Sequence, residues 1–139
     1  MANKQVGLGT LVKVDEDDNG TTHTTLTVVM DATPPPRTRQ RVDQTSLDDT
    51  LATDAPGIED KSDFVFTQYW HPGDTVHQHV DTLFGAKTIV EWQIVYPFGT
   101  PVTDEFEGWV ASIEPQQIGV ATMISRRVTV HRTSATTRT

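Results

Sequence analysis

The feature that most constrains the fold is a long segment, residues 31–62, that has almost nothing to bury. It opens near three consecutive prolines, Pro34–Pro36, and continues with polar and charged residues. Its larger apolar residues are Val42, Leu47, Leu51 and Ile58. Connections longer than ~15 residues without secondary structure are uncommon in compact domains and are usually functional or disordered. We therefore predict an extended loop that is either a flexible internal segment or an arm that becomes ordered against another subunit.

Length and composition indicate a small domain without disulfides. The chain has 139 residues and no cysteine, so residues 1–139 suit a single domain, and disulfides and thiolate metal sites are excluded. No apolar run is long enough to span a bilayer, and the first residues lack the apolar stretch of a signal peptide. We expect a protein that folds in a cytoplasm and has no membrane partner.

Charge is distributed unevenly along the chain. Residues 1–115 carry 19 acidic and seven basic residues, whereas residues 116–139 carry four arginines and no acidic residue. An acidic body with a basic end is electrostatically complementary to another copy of itself. The acidic balance also argues against a reader of duplex DNA, which must neutralise phosphates.

The regular segments mostly predict β-strands. They either alternate apolar and polar residues or are rich in β-branched and aromatic residues. Asp17–Gly20 is a turn signal, and Gly108 marks a possible bulge. We predict a mainly β fold, a β-sandwich or partly open barrel of about seven strands with the long loop between early strands. The predicted strands are 6–14, 24–30, 64–70, 88–96, 105–113 and 118–132.

One helix is predicted after Asp74, which suits the N-cap position. Gly85 suits the position that follows the helix. Between them, apolar residues recur at helical spacing and form one stripe that should pack onto the sheet. The stripe consists of Val76, Val80, Leu83 and Phe84.

No motif indicates an enzyme, a cofactor or a metal. His77 and His79 are two residues apart on the predicted helix and do not share a face, so we expect them to face solvent. Asp15–Gly20 matches the beginning of a calcium-binding loop, but its twelfth position is Leu26 rather than Glu. The chain has no cysteine nucleophile, nucleophile elbow or P-loop.

Five stretches spread over nearly the full length of the chain carry a resemblance to one family. They are Val6–Val12, Thr33–Arg37, Ala55–Asp60, Gln68–Asp74 and Phe106–Pro115. On these stretches the chain resembles the tail tube (major tail) proteins of long, flexible-tailed bacteriophages. This family is related in fold to the tube protein of type VI secretion.

The resemblance implies a structural virion protein of the tail that polymerises in the host cytoplasm. Its subunits would form rings, typically hexameric, that stack around a tape-measure protein, with tail terminator and baseplate proteins as further partners. Sheets of neighbouring subunits would join into a barrel whose lumen conducts DNA without binding it. Residues 31–62 would lie against an adjacent ring, and residues 133–139 would be a flexible C-terminus.

Two sets of site residues follow as expectations. Charged residues of the loop and of the basic end should lie at the subunit interface. Acidic residues opposite the core face of strands 88–96 and 105–113 should line the lumen. The interface set is Arg37, Arg39, Arg41, Asp48, Asp49, Arg126, Arg127 and Arg132, and the lumen set is Glu91, Glu105 and Glu107.

Two alternatives remain open on the sequence. The first is another ring-forming virion protein, such as a tail terminator, which forms closed rings without extended tubes. The second is a carbohydrate-binding β-sandwich module, in which Trp70, Trp92 and Trp109 would form an exposed stacking platform. Trp92 shares a predicted face with Val90 and Ile94, which favours the core for that tryptophan.

Overall fold

The computed structural model describes residues 9–15 and 23–139, and over these it contains ten strands and one helix. The helix, α1, spans Thr75–Ala86. The strands are β1 Leu11–Asp15, β2 His23–Thr25, β3 Val29–Thr33, β4 Thr38–Asp43, β5 Asp54–Asp60, β6 Asp63–Tyr69, β7 Val90–Tyr96, β8 Val102–Pro115, β9 Ser125–Arg132 and β10 Thr137–Arg138.

Seven strands form one antiparallel sheet in the order β2-β1-β7-β8-β9-β6-β3, and β10 adds to β8. Strands β4 and β5 pair with each other in a separate two-stranded sheet. The predicted fold class is therefore confirmed: the fold is mainly β, with about seven strands in the main sheet and one helix. The sheet is open rather than a closed barrel.

The connection between β2 and β3 forces the sheet to curl. These strands are the two edges of the sheet, yet only residues 26–28 separate them. Four Cα–Cα steps span at most about 15 Å, whereas seven flat strands would be about 29 Å wide. The edges therefore approach each other without pairing, and a cavity of about 450 Å³ lies between them. It is lined partly by Val12, Ile94 and Tyr96 on one side and by Met30 and Ala32 on the other.

The predicted single strand over 24–30 is wrong, because the chain changes edges within it. Leu26 is buried, and Val28 takes a left-handed conformation with φ of 51°. That conformation is strained for a β-branched residue. The Val28 carbonyl then accepts a hydrogen bond from the Tyr69 amide at 3.1 Å, which fixes the start of β3 beside β6.

The core lies between the curled sheet and the helix, and aromatic rings form its centre. Trp92 is fully buried against Phe64 and Phe66, with ring centroids 6.4 and 6.0 Å away. Phe106 lies opposite Trp92 in the register of β7 and β8. The predicted pairing of these two strands is confirmed, as is the core position of Trp92.

The bulge in β8 is at Ala111 rather than at Gly108. The register of β8 against β9 shifts between Val110 and Ser112. Gly108 lies in regular sheet, and a Cβ atom there would meet the His131 carbonyl oxygen at 2.7 Å. Close approach of two backbones, rather than a bulge, therefore explains this glycine.

The helix begins as predicted and ends two residues later. The Asp74 carboxylate accepts a hydrogen bond from the Val76 amide at 2.9 Å. Gly85 lies inside the helix, and Lys87 is the C-cap with φ of 58°. Of the predicted stripe, Val80 and Leu83 are buried and Val76 is half-buried, but Phe84 is 47% exposed.

His77 belongs to the buried face of the helix, so its predicted solvent exposure is wrong. Its Nδ1 accepts the His71 amide at 3.1 Å, and its Nε2 lies 3.2 Å from the Thr27 hydroxyl. His79 is half-buried, and its Nε2 lies 2.9 Å from the Asp15 carbonyl oxygen. Both rings therefore join the helix to the chain beneath it, which helical spacing alone did not show.

The segment 31–62 is not an unstructured loop. It contains most of β3, all of β4 and β5, and the turn between the last two. Every residue of β4 is exposed, so neither of its faces needs apolar residues. The strand signal that sequence analysis uses, apolar alternation, is therefore absent.

The C-terminal residues are paired with the sheet, in contrast to the flexible end predicted for 133–139. Thr137 and Arg138 pair with β8. The Thr139 amide and carbonyl exchange hydrogen bonds with Thr103 at 2.9 and 3.0 Å. The predicted turn at Asp17–Gly20 and the start of the predicted strand 6–14 lie outside the described residues.

Protonation of His77 should destabilise the fold. Burial is the main cause that lowers the pKa of His77, with a smaller contribution from the Arg126 charge, while Asp74 opposes it. Below about pH 6.5 the unfolded chain gains a proton that the folded chain resists, so stability falls as the pH falls. For one proton the slope is no steeper than ~1.4 kcal/mol per pH unit.

The free energy of unfolding, measured by urea denaturation between pH 7.5 and 5, should therefore fall more steeply with falling pH in the native chain than in His77→Gln. The difference isolates His77, because all other titrating groups are shared. The same pH dependence of the unfolding free energy in both proteins would show that folding does not lower the pKa of His77.

Candidate functional site

Strands β4 and β5 form an arm, residues 38–60, that stands away from the main sheet. Its strands are held by cross-strand charge pairs on an exposed surface. Arg41 lies 3.3 Å from the Asp54 carboxylate, and the Gln40 amide donates to Asp60 at 2.8 Å. Arg39 donates to the Gly57 carbonyl at 2.8 Å. Exposed pairs of this kind contribute ~1 kcal/mol or less each, so the arm is weakly stabilised by its own contacts.

The tip of the arm is shaped by short polar side chains. The Asp43 carboxylate accepts the Thr45 amide at 2.9 Å, and the Asp49 carboxylate accepts the Ser46 amide at 2.7 Å. These bonds are the main cause that lowers the pKa of each carboxyl group. Leu47 lies in this turn and is fully exposed.

The buried guanidinium of Arg132 holds the base of the arm. Arg132 is 1% exposed, and its Nη2 donates to the Asp60 carbonyl at 2.8 Å. Its Nη1 lies 3.4 Å from a Glu59 oxygen and donates to the Thr136 hydroxyl at 2.9 Å. Arg37 also bonds Glu59 at 3.2 Å, and this bond is the main cause that lowers the pKa of Glu59. The arm therefore leaves the body at a fixed point.

Arg126 is likewise buried and bonded within its own subunit. It is 3% exposed, and it bonds the Asp81 carboxylate at 2.7 Å and the His77 carbonyl at 3.1 Å. The predicted interface role is therefore wrong for Arg126 and for Arg132, since neither guanidinium is available to a neighbour. The sequence alone does not show whether the side chain of a charged strand residue points toward the core or toward solvent.

Arg127 is the exposed member of the three arginines. It alternates with the buried Arg126 and Val128 along β9 and lies opposite Glu114 of β8. Over the described residues it makes no ion pair within 4.0 Å. The other predicted interface residues, Arg37, Arg39, Arg41, Asp48 and Asp49, are exposed on or beside the arm.

The three predicted lumen residues share one face of the sheet. Glu91 lies opposite Glu107, and Gln93 lies opposite Glu105 and donates to it at 2.8 Å. The alternating partners Trp92 and Phe106 point into the core. We call the surface of Glu91, Glu105 and Glu107 the acidic face.

The acidic face includes one carboxyl group that resists ionisation. Burial is the main cause that raises the pKa of Glu91, and the nearby Glu105 charge adds to it. His23 lies 3.4 Å from Glu91 and opposes that shift. His23 lies on β2, a short strand that sequence analysis did not separate from β3, so this neighbour was not predicted.

The tryptophans do not form a stacking platform. Trp92 is fully buried, whereas Trp70 and Trp109 are 42% and 36% exposed. Trp109 packs on His131, which pairs with the first residue of β6. Trp70 follows the last residue of the same strand, some 23 Å away at the usual rise per residue. A carbohydrate-binding module therefore has no support in this arrangement.

Thr27, His77 and Asp74 lie close together like a catalytic triad, but their hydrogen bonds give them a structural role. Thr27 donates to Asp74 at 2.7 Å and lies 3.2 Å from His77. Because His77 Nδ1 accepts the His71 amide, its Nε2 carries the proton in the neutral ring and is no base toward Thr27. Within residues 9–15 and 23–139, no three His, Cys, Asp or Glu residues are placed to hold a metal, and no helix is long and apolar enough to cross a bilayer.

The family comparison identifies the class of protein. The family model described as lambda phage tail tube protein matches residues 12–139. The chain belongs to this family of tail tube proteins, which are structural, non-enzymatic components of the virion tail. No curated protein sequence matches the chain.

Several solved structures share the fold over nearly the whole chain. A chain from the tail of an empty GTA particle, refined with C6 symmetry, has a TM-score of 0.78 at 18% identity, covering 98% of this chain and 99% of that one. The SPP1 tail tube has a TM-score of 0.73 at 9% identity, and the match covers 93% of this chain and 75% of that one. A chain of the sheath-tube complex of the extracellular contractile injection system PVC has a TM-score of 0.72 at 8% identity. The match covers 94% of this chain and 87% of that one.

Replacing Arg132 with Met should loosen the base of the arm. The substitution keeps the buried length of the side chain but removes its hydrogen bonds to Glu59 and Asp60, which contribute about 1–3 kcal/mol. We expect amide exchange at Ile58–Asp60 to accelerate by roughly ten- to a hundredfold.

Arg41→Met is the matched control. It removes an arginine from the same arm, but its pair with Asp54 is exposed and contributes little. Hydrogen-exchange mass spectrometry should find exchange at the arm base unchanged in the control. Equal exchange in both variants would mean that Arg132 does not fix the arm.

Proposed function

We propose that this protein forms rings of six copies that stack into the tail tube, through which the genome leaves the virion. Family membership supports a tube, and the sixfold symmetry of the similar GTA tail supports the ring number. The structural observation that carries the proposal is the open, curled sheet with a polar arm projecting from one end.

The unpaired sheet edges supply the contact within a ring. Over the described residues, β2 pairs only with β1, and β3 pairs only with β6. Exposed edges present backbone donors and acceptors that another strand can join. Pairing of edges between neighbouring subunits joins the open sheets into one barrel around a channel. This explains why the fold stops short of closing on itself.

The acidic face is proposed to line the channel. It points away from the helix and core, which would lie on the outer side of such a barrel. Carboxylates along the wall repel DNA phosphates, so the passing genome is not retained. Burial and the nearby Glu105 charge raise the pKa of Glu91, which reflects the cost of holding ionised carboxyl groups together on this face.

Further partners follow from the place of a tube in a tail. A tape-measure protein would occupy the lumen during assembly, and terminator and baseplate proteins would contact the two ends. Chains of the same fold occur in the baseplate and in the tube-terminating cap of the anti-feeding prophage. A closed terminator ring is therefore the second candidate function, and it differs from a tube protein by not stacking on copies of itself.

Removal of the arm should prevent rings from stacking into tubes without preventing the rings from forming. Arg39 lies opposite Glu59 in the arm, so deletion of Gln40–Pro56 brings the cut ends together across the hairpin. Because the deleted segment is almost entirely exposed, the free energy of unfolding of the body should change by no more than about 0.5 kcal/mol. Negative-stain microscopy should show tubes for the native chain, with its tape-measure protein present, and no tubes for the deletion.

The triple change of Arg37, Arg39 and Arg41 to Lys is the control, because it retains the length and charge of the arm. Closed rings without tubes from the native chain would favour the terminator function instead. Tubes from the deletion variant would show that the arm is not needed for stacking.

Positive charge on the acidic face should make the channel retain DNA. The double variant Glu105→Lys and Glu107→Lys places cations on the proposed wall. The double variant Gln78→Lys and Thr82→Lys is the control, because it places two cations on exposed positions of helix α1, away from the wall and the sheet edges. We expect tubes of the first variant to carry DNA down in sedimentation, in an amount that falls as salt rises. Phage carrying it should eject DNA more slowly. Unchanged sedimentation and ejection would place these residues away from the DNA path.

A further inference from the structure

Two apolar surfaces remain uncovered in the subunit. The first is the arm tip, where Leu47 is fully exposed and Leu51 is 79% exposed. The second is the loop between β8 and β9, residues 116–124, which we call the apolar loop. Its Val120 is fully exposed, and Ile118 and Met123 are 71% and 64% exposed. Exposed apolar groups that cluster in this way usually mark an interaction site.

These surfaces lie at opposite ends of the subunit. The arm leaves the body beside Asp63, the first residue of β6, which pairs with His131 near the end of β9. The apolar loop precedes Ser125, the first residue of β9, which pairs with Tyr69 at the other end of β6. Six residue steps along these strands separate the two ends by about 20 Å. An arm tip directed away from the body therefore cannot cover the apolar loop of its own chain.

The two surfaces also complement each other in charge. The arm tip carries Asp48 and Asp49, which make no ion pair within the described part of the chain. The apolar loop contains no charged residue, and Arg127, the third residue after its end, is exposed. An acidic, leucine-bearing tip thus matches an apolar loop with an exposed arginine beside it.

We propose that the apolar loop is the receptor for the arm tip of a second copy of this chain in the adjacent ring. Leu47 and Leu51 pack against Ile118, Val120 and Met123, and Asp48 or Asp49 pairs with Arg127. Such a contact is heterologous, since each copy gives its arm at one end and receives an arm at the other. A heterologous contact along one axis does not close and builds a filament. The inference rests on the proposed tube and assigns the surface on which its rings stack.

Cross-linking between two single-cysteine variants tests the contact, because the native chain has no cysteine. Leu47→Cys and Val120→Cys are mixed with the tape-measure protein, allowed to assemble and treated with a short bis-maleimide. We expect covalent dimers from the mixture and none from either variant alone. Phe98→Cys is the control partner for Leu47→Cys. It is 42% exposed but lies in the turn before β8, at the other end of that strand from the apolar loop.

A charge exchange tests the ion pair separately. Arg127→Glu should slow tube growth about tenfold at low salt, since opposed charges no longer steer association. Combining it with Asp48→Arg and Asp49→Arg should restore growth. Lys87→Glu serves as the matched reversal and should leave growth unchanged, because Lys87 is exposed at the C-cap of α1, outside the arm and the apolar loop.

The outcomes separate the two proposals. Tubes with dimers only in the Leu47→Cys and Val120→Cys mixture support the receptor. Tubes without these dimers, or with dimers to Phe98→Cys, overturn the receptor and leave the tube function standing. Dimers from Leu47→Cys alone would show a symmetric contact and overturn the heterologous one. Failure of the native chain to form tubes at all would overturn the proposed function together with the inference.

Discussion

The three-residue link between the two edge strands is the constraint on which the rest of the fold depends. Because β2 and β3 are consecutive in sequence but lie at opposite edges of a seven-stranded sheet, the sheet has to curl until its edges are close. The left-handed conformation of Val28 shows that this turn is tight. Curling encloses the aromatic core on one face and turns the polar residues of β7 and β8 outward. The core and the acidic face are thus two results of one backbone restriction.

Curling without closure also determines what the subunit leaves for its neighbours. Both edges lie around a cavity rather than pairing across it, so over the described residues β2 and β3 each pair with a single strand of the sheet. A protein that acts alone would be expected to protect such edges with charges, prolines or a covering segment. In a tube protein the same edges become useful, because pairing between copies satisfies them. The openness of the sheet is therefore best explained by assembly.

Sequence analysis predicted the parts of this fold that a one-sided burial pattern encodes. The alternation of Val90, Trp92 and Ile94 correctly predicted a strand with its core face, and the pairing of β7 with β8 followed from their short connection. Strand β4 was missed because all of its residues are exposed. Strand β5 was missed because its half-buried face carries Ala55, Gly57 and Glu59 rather than large apolar side chains, so neither strand shows hydrophobic alternation. His77 was misplaced because a buried histidine with hydrogen-bonded nitrogens has the same sequence signature as an exposed one.

The basic end of the chain shows most clearly why the candidate site could be predicted only in part. Uneven charge along the sequence drew attention to the arginines, but it could not distinguish inward from outward positions. Along β9, Arg126 and Arg132 point inward and Arg127 points outward. Arg126 bonds the helix to the sheet, and Arg132 bonds the arm to the body. Both therefore stabilise the shape of the subunit.

The energetics of the arm connect the fold of the subunit to its proposed assembly. An isolated two-stranded hairpin is only marginally stable in water, and its exposed charge pairs add little. Its base is fixed by the buried Arg132, whereas its tip presents Leu47 and Leu51 to solvent. Burying two leucine side chains is worth roughly 3–6 kcal/mol before the cost of ordering the arm is subtracted. The subunit therefore provides an arm whose base is fixed by its own core, and in the proposed contact between rings the tip would be stabilised mainly by another copy.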